Sequence, residues 1–167
     1  KWTGASTWKR YQEKVPNKCV RLLGPEYVLL NDVYTNERDF SVKDSANQTF
    51  TIMLSLGGGG DMGTLGKLLK QLLRSAPDDK ELIFRPVVGP FATNREKILS
   101  LVEGDQRVQP IVGVRDLHEN LRTTSLFVGA AGGTLYEVLS LKILAITFSL
   151  GDNQNNQLSH LEDLGHY

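Results

Sequence analysis

Short apolar runs alternate with helix-spaced leucines along the chain from residue 50 onward. Five apolar runs predict buried strands, at 50–56, 82–88, 108–112, 126–128 and 143–148. The segments between them carry apolar residues three and four positions apart, which predicts amphipathic helices at 65–73, 94–103, 116–122, 134–141 and 155–164. This alternation predicts an α/β fold, a Rossmann-like parallel sheet with helices on both faces.

The first 49 residues do not show this alternation. Residues 31–49 are polar, and this polarity indicates a linker or loop. We predict that a Rossmann-like domain follows it at 50–167. The chain begins at Lys1 without an initiator Met and stops just past a helical pattern. We therefore expect it to be part of a longer protein.

The fourth predicted strand runs directly into a glycine pair and the start of a helix. Gly132 and Gly133 are followed by Thr134, with Glu137 three residues further on. The first amides of a helix have no internal partner and carry partial positive charge, so they bind phosphate without a lysine. Thr134 and Glu137 also match a capping box, in which both side chains only satisfy backbone donors. The pattern alone leaves both interpretations open.

A second polar cluster, Asp152-Asn153-Gln154, follows the fifth predicted strand. Such residues commonly cap the next helix, but three in a row exceed what a cap needs, and amide side chains suit sugar hydroxyls. The glycine-rich loop 57–60 and the segment 112–116 also follow strands. Because the carboxyl ends of parallel strands meet at one edge, we expect a ligand site there.

Gly58-x-Gly60-x-x-Gly63 matches the dinucleotide-binding fingerprint literally. That fingerprint also requires an acidic residue at the end of the next strand, which would hold the ribose. The next strand ends Val88-Gly89-Pro90, without a carboxylate. This argues against a nicotinamide or flavin cofactor, and we expect no cofactor.

The amino-acid composition excludes some classes of binding partner. The 167 residues include 19 Lys and Arg against 19 Asp and Glu, which argues against a nucleic-acid or anionic membrane surface. No apolar run reaches membrane-spanning length, and no Cys/His cluster has metal-ligand spacing. The single Cys19 excludes an internal disulfide and favours the cytoplasm. We expect Cys19 to be buried, and His118, His160 and His166 to be surface residues.

The order of the motifs closely resembles the C-terminal half of the UDP-sugar hydrolase of pseudaminic-acid biosynthesis. Spore-coat polysaccharide biosynthesis proteins look similar, and the GlcNAc transferase that forms lipid II is similar at a greater distance. The resemblance runs from about Ala5 to the end of the chain. It rests on Leu23-Gly24-Pro25-Glu26-Tyr27-Val28-Leu29-Leu30, Leu56-Gly57-Gly58, Val88-Gly89-Pro90, Ala131-Gly132-Gly133-Thr134-Leu135-Tyr136-Glu137 and Asp152-Asn153-Gln154.

The resemblance implies one half of a GT-B fold, in which two Rossmann-like domains enclose a cleft and the C-terminal domain binds UDP. The residues that would bind the nucleotide are Gly132, Gly133 and Thr134 for the pyrophosphate, Glu137 for the ribose, and backbone at Val112 and Val114 for uracil. Those near the phosphates and the sugar would be Gly57, Gly58, Gly59, Asp152, Asn153 and Gln154. Asn153 is the best candidate for a direct catalytic role.

The implied reaction is hydrolysis of a UDP-sugar at its anomeric C–O bond with release of UDP, in bacterial nonulosonic-acid or surface-polysaccharide biosynthesis. The family's catalytic base is a histidine of the N-terminal domain, of which residues 1–30 would be the tail and crossover. The partners are therefore a UDP-sugar and that N-terminal domain. By itself this chain would bind substrate without turning it over.

Two departures from the family pattern keep alternatives open. The stretch Leu141-Lys142-Ile143-Leu144 lacks the usual Gly-x-Pro turn, and the first loop has four glycines where Gly-Gly-Ser is expected. One alternative is transfer of the sugar to an acceptor. Another is a degenerate binding or regulatory module, fused to an enzyme like a sialic-acid cytidylyltransferase. The sequence leaves the identity of the sugar and the oligomeric state open.

Overall fold

A parallel sheet of five strands forms the centre of the molecule. The computed structural model describes residues 9, 11–22, 24, 27–36, 49–77, 81–152 and 154. The strands are β1 Phe50–Ser55, β2 Leu82–Val88, β3 Ile111–Val112, β4 Leu126–Ala130 and β5 Leu144–Phe148. They are arranged in the order β3-β2-β1-β4-β5, and every neighbouring pair is parallel. This confirms the predicted Rossmann-like α/β fold.

Helices cover both faces of the sheet. They are α1 Asp32–Asn36, α2 Met62–Ser75, α3 Glu96–Val102, α4 His118–Leu121 and α5 Gly133–Ser140. The helices α2 and α3 pack over one apolar cluster, while α1, α4 and α5 pack over another. Of the described helices, none is long and apolar enough to cross a membrane.

Alternate residues of the central strand supply the two clusters. Ile52 and Leu54 join the cluster under α2 and α3, whereas Met53 joins the cluster on the opposite face. Because β1 is covered on both sides, its central residues Ile52, Met53 and Leu54 are all apolar, as is usual for a central parallel strand. This explains why the run predicted the strand but not which face each residue occupies.

Two predicted elements differ from the structure. We predicted a loop over residues 31–49, but 32–36 form α1, with Tyr34 only 3% exposed. The third strand was predicted at 108–112 and is confined to Ile111–Val112, since Pro110 has no amide to donate. Val108 makes only an isolated bridge to Phe84. The predicted helix at 155–164 lies outside the described residues.

The turn from α5 into β5 has an unusual residue in its left-handed position. Lys142 has φ 55°, and its amide bonds Leu139 O at 3.0 Å. Ile143 N then bonds Val138 O at 3.2 Å, which completes a Schellman motif. Glycine is the common residue at this position because a side chain is strained there. Although the sequence lacks the expected glycine turn, its backbone makes a glycine-like turn.

Candidate functional site

A cleft of ≈ 460 Å³ opens at the carboxyl edge of the sheet. The chain leaves β1 toward β2 and β3 on one side, while β4 and β5 lie on the other, so this edge contains the topological switch point. Five residues predicted to bind ligand line the cleft, namely Gly57, Gly58, Val114, Thr134 and Glu137. They come from three segments of the chain that are far apart in sequence. The fold therefore brings together the motifs that follow β1, β3 and β4.

The loop after β1 presents backbone to the cleft. Gly57 has φ +86°, which requires glycine in practice, and its amide donates to Ser55 Oγ at 3.2 Å. A Cβ added to Gly57 or Gly58 would meet nothing within 4 Å. At Gly60, in contrast, a Cβ would lie 2.4 Å from Leu56 Cβ. The fold therefore requires glycine at position 57 for its φ and at position 60 for its packing, and the space beside Gly57 and Gly58 is open.

The first turn of α5 lies beside this loop. Gly132 is the N-cap residue, so Thr134 lies inside the helix as its second residue. The capping-box interpretation of Thr134 and Glu137 is therefore wrong. The amides of Gly133 and Thr134 precede the first intrahelical bond, which Leu135 N donates to Gly132 O at 3.3 Å.

Neither glycine before Thr134 is needed by the fold. Gly132 has an ordinary extended conformation, with φ −105° and ψ −158°. A Cβ on Gly132 would lie 4.0 Å from Ala130 O, and one on Gly133 would meet nothing within 4 Å. Both positions thus leave room for close approach of a ligand to the start of α5.

Glu137 lies one turn into α5, with its side chain half-buried in the lining of the cleft. Burial raises the pKa of its carboxyl, and the nearby Asp116 carboxylate raises it further. Both effects disfavour the ionised form. Hydroxyl groups that donate to this carboxylate would offset that cost.

A buried tyrosine joins α1 to the loop before α4. Tyr34 donates its hydroxyl to Asp116 Oδ1 at 2.9 Å, and the same oxygen accepts from His118 N at 2.8 Å. Burial and this hydrogen bond raise the pKa of the Tyr34 hydroxyl well above its usual value. The ring of Tyr34 meets that of His118 edge to face, with centroids 5.2 Å apart.

The sequence reasoning missed this cluster of Tyr34, Asp116 and His118. Tyr34 fell in the predicted loop, although Leu30, Val33 and Tyr34 have the spacing of a helix face and pack together on the core. His118 was predicted at the surface, but it is 6% exposed because it packs against Tyr34. Both predictions were wrong, as was the expected burial of Cys19, which is exposed.

Six other predicted residues do not line the cleft. Gly59 lies in the same loop as Gly57, and a Cβ added to it would lie 4.0 Å from Phe91 Cβ. Gly132 and Gly133 directly precede the lining residue Thr134 in the sequence, and Val112 is exposed at the end of β3. The remaining two are Asp152 and Gln154.

The polar cluster after β5 forms a turn. Asp152 is exposed, and Gln154 Oε1 accepts from Leu150 N at 2.8 Å while Gln154 N donates to Gly151 O. This arrangement shows Gln154 stabilising local backbone. Asn153, the predicted catalytic residue, lies outside the described residues. Contact between these side chains and a sugar stays a prediction.

A separate groove of ≈ 310 Å³ lies between α2 and α3 on the other side of the β1 loop. Its lining includes Lys67, Lys70, Lys97 and Asp61. Asp61 is the N-cap of α2, and it accepts from Thr64 N at 2.9 Å and from Asn94 Nδ2 at 2.6 Å. These hydrogen bonds lower its pKa to about 2. Across the described ranges, no three His, Cys, Asp or Glu residues are grouped as metal ligands.

Fold and cleft define this chain as a Rossmann-like α/β protein with a ligand-sized opening at its switch point. No family model matches the chain. The chain is similar to uncharacterized protein MJ1062 of Methanocaldococcus jannaschii, with 22% identity over 131 residues. The match covers 76% of this chain, and the chain spans about a quarter of that protein's length (26%).

Proposed function

We propose that this chain is the UDP-sugar-binding half of a nucleotide-sugar hydrolase of the GT-B class. The reaction cleaves the anomeric C–O bond of the sugar and releases UDP. One observation carries the proposal: Gly57, Gly58, Val114, Thr134 and Glu137, chosen from separate motifs, line a single cleft at the switch point. Loops that follow parallel strands meet at one edge of any such sheet, and within that edge these five residues line the same opening.

The start of α5 is suited to the diphosphate. The amides of Gly133 and Thr134 and the positive end of the helix would stabilise the negative charge that develops on UDP as the sugar leaves. The open space above both glycines permits a phosphate oxygen to reach these amides. The described part of the chain would thus stabilise the leaving group.

Glu137 is suited to the ribose. An α-helix rises about 1.5 Å per residue, so Glu137 lies roughly one turn beyond the diphosphate-binding amides. The ribose hydroxyls of UDP are separated from its phosphates by a similar span. These hydroxyls would donate to a carboxylate whose charge is disfavoured by burial and by Asp116. Backbone at Val114 would then face the uracil edge.

The other half of the proposed reaction depends on the preceding domain. A histidine there would activate the water, and Asn153 would act on the sugar. The glycine-like conformation of Lys142 supports an intact turn before the sugar-binding segment, despite the altered sequence. We therefore favour a working hydrolase over a degenerate module.

Calorimetric titration with UDP tests this proposal. We expect saturable binding of UDP, weaker binding of CMP, no binding of NAD, and no release of UDP when a UDP-sugar is added to this chain alone. Binding of NAD in preference to UDP would instead support a dinucleotide site. Absence of UDP binding by a folded chain would contradict the proposal.

A further inference from the structure

A phenylalanine stands at the rim of the cleft with most of its surface in water. Phe91 is 81% exposed and belongs to the lining of the cleft. A single exposed apolar residue is common and needs no explanation. Its importance here depends on how firmly its backbone is held and on what lies beside it.

The turn that carries Phe91 is fixed by hydrogen bonds from two directions. Phe91 N donates to Gly58 O at 3.0 Å, which ties the turn to the β1 loop. The Arg95 guanidinium donates to the carbonyls of Gly89, Pro90 and Ala92, so it holds the backbone on both sides of Phe91. The aromatic ring is therefore presented from a preorganised support.

A close approach of two loops makes this support possible. A Cβ on Gly89 would lie 2.6 Å from Gly58 O and 2.7 Å from Gly58 Cα. Only glycine at position 89 permits the two loops to pack so closely. The position of Phe91 is thus built into the carboxyl edge of the sheet.

The lining of the cleft combines apolar residues with polar ones such as Arg115 and Asp116. Pro90, Val114 and Leu117 contribute to the same cleft, while the carboxyl of Glu137 enters it from α5. A planar base needs apolar contact for its faces and hydrogen bonds only at its edge. Apolar lining residues and an exposed aromatic ring offer contact to the faces of a base, and the polar lining residues offer hydrogen bonds to its edge.

We propose that Phe91 stacks on the base of the nucleotide bound in this cleft. This role rests on the proposed function and extends it, because the resemblance to known hydrolases assigned no role to Phe91. Stacking on Phe91 would fix the plane of the base, so that its edge faces the backbone near Val114. Arg95 would act as a positioning residue by holding the turn.

Titrations of the full chain with UDP test the stacking. Phe91→Ala should weaken UDP binding at least about fivefold, the lower end of the range for base–aromatic stacking. Phe91→Trp should bind as tightly as the wild type or more tightly, since its ring is larger. Leu99→Ala removes another exposed apolar side chain, on α3 and outside the cleft lining, and should leave UDP affinity unchanged.

Inorganic pyrophosphate is the probe that separates the base from the phosphates. The affinity of pyrophosphate, measured by its competition with UDP, should be the same in Phe91→Ala as in the wild type once the weaker binding of UDP is taken into account. In the Phe91→Ala background, Arg95→Ala should have no further effect on UDP affinity. An additive loss would mean that Arg95 supports UDP binding by a route other than the ring of Phe91, which contradicts this positioning role.

The outcomes separate the two proposals. If the wild type binds UDP and Phe91→Ala binds it equally well, the stacking role is wrong and the proposed function stands. Equal losses of UDP and pyrophosphate affinity would also contradict stacking. If the folded wild type does not bind UDP, both proposals are wrong.

Discussion

At the scale of single residues, Glu137 lines the cleft and its ionised form has a cost to stability. Because its folded-state pKa is raised, the folded protein holds the proton more tightly than the unfolded chain does. The contribution of the Glu137 carboxyl to the free energy of unfolding is therefore highest at acidic pH. It falls as pH rises above the ordinary value of 4.5 toward the folded-state pKa.

We expect Glu137→Gln to raise the free energy of unfolding at neutral pH and to change it little at acidic pH. The amide keeps the shape of the side chain and removes the disfavoured charge. Urea unfolding across this pH range measures the difference. Glu103→Gln, which alters an exposed carboxylate after α3, is the control and should not show this pH-dependent gain. A Glu137→Gln variant that is less stable at neutral pH would contradict the account.

At the scale of elements, the end of α5 is strained by its own sequence. Lys142 occupies the left-handed position of the Schellman motif, where a side chain costs roughly 1–2 kcal/mol. We expect Lys142→Gly to raise the free energy of unfolding by about 1 kcal/mol, after the entropy cost of glycine in the unfolded chain. Lys142→Ala keeps the Cβ and should show no such gain in thermal unfolding. A loss of stability in Lys142→Gly would contradict the motif.

We expect substitutions at two glycines near β4 to have different effects, one on stability and the other on UDP binding. A Cβ on Gly129 would lie 2.2 Å from Ser55 O in the neighbouring strand, so Gly129→Ala should cost about 1–3 kcal/mol. Gly133→Ala meets open space and should leave stability unchanged or slightly higher, while weakening UDP binding. Urea unfolding and UDP titration of both variants test this contrast. Unchanged UDP affinity in Gly133→Ala would argue against diphosphate at the start of α5.

The sequence predicted well those elements that are specified by residues close together in the chain. The bounds of β2 followed from one apolar run between Glu81 and Gly89-Pro90. Thr134 and Glu137, which line the cleft, were selected from their spacing after a strand. Tyr34, Asp116 and Phe91 gain their roles from partners in other segments, such as the bond between Tyr34 and Asp116, 82 residues apart. No local pattern contains these long-range partners, although the helix-face spacing of Leu30, Val33 and Tyr34 was a local signal for α1.

At the scale of the whole molecule, α1 belongs to the packed domain. Tyr34 lies in the core and bonds Asp116, so Tyr34→Ala should lower the free energy of unfolding by about 3 kcal/mol or more. Tyr27→Ala, which removes a tyrosine that is 48% exposed, should change it by about 0.5 kcal/mol or less. Chemical unfolding of the two variants tests where the domain begins. Similar values for both would mean that α1 is dispensable.

The central claim is that a nucleotide diphosphate binds in the cleft at the switch point. Amide NMR shifts of the full chain during titration with UDP test it most directly. We expect saturable shifts at Gly58, Val114, Gly133 and Thr134, and loss of these shifts when Glu137→Ala is titrated under the same conditions. No saturable shifts, or shifts confined to the groove of Lys67, Lys70 and Lys97, would contradict the account.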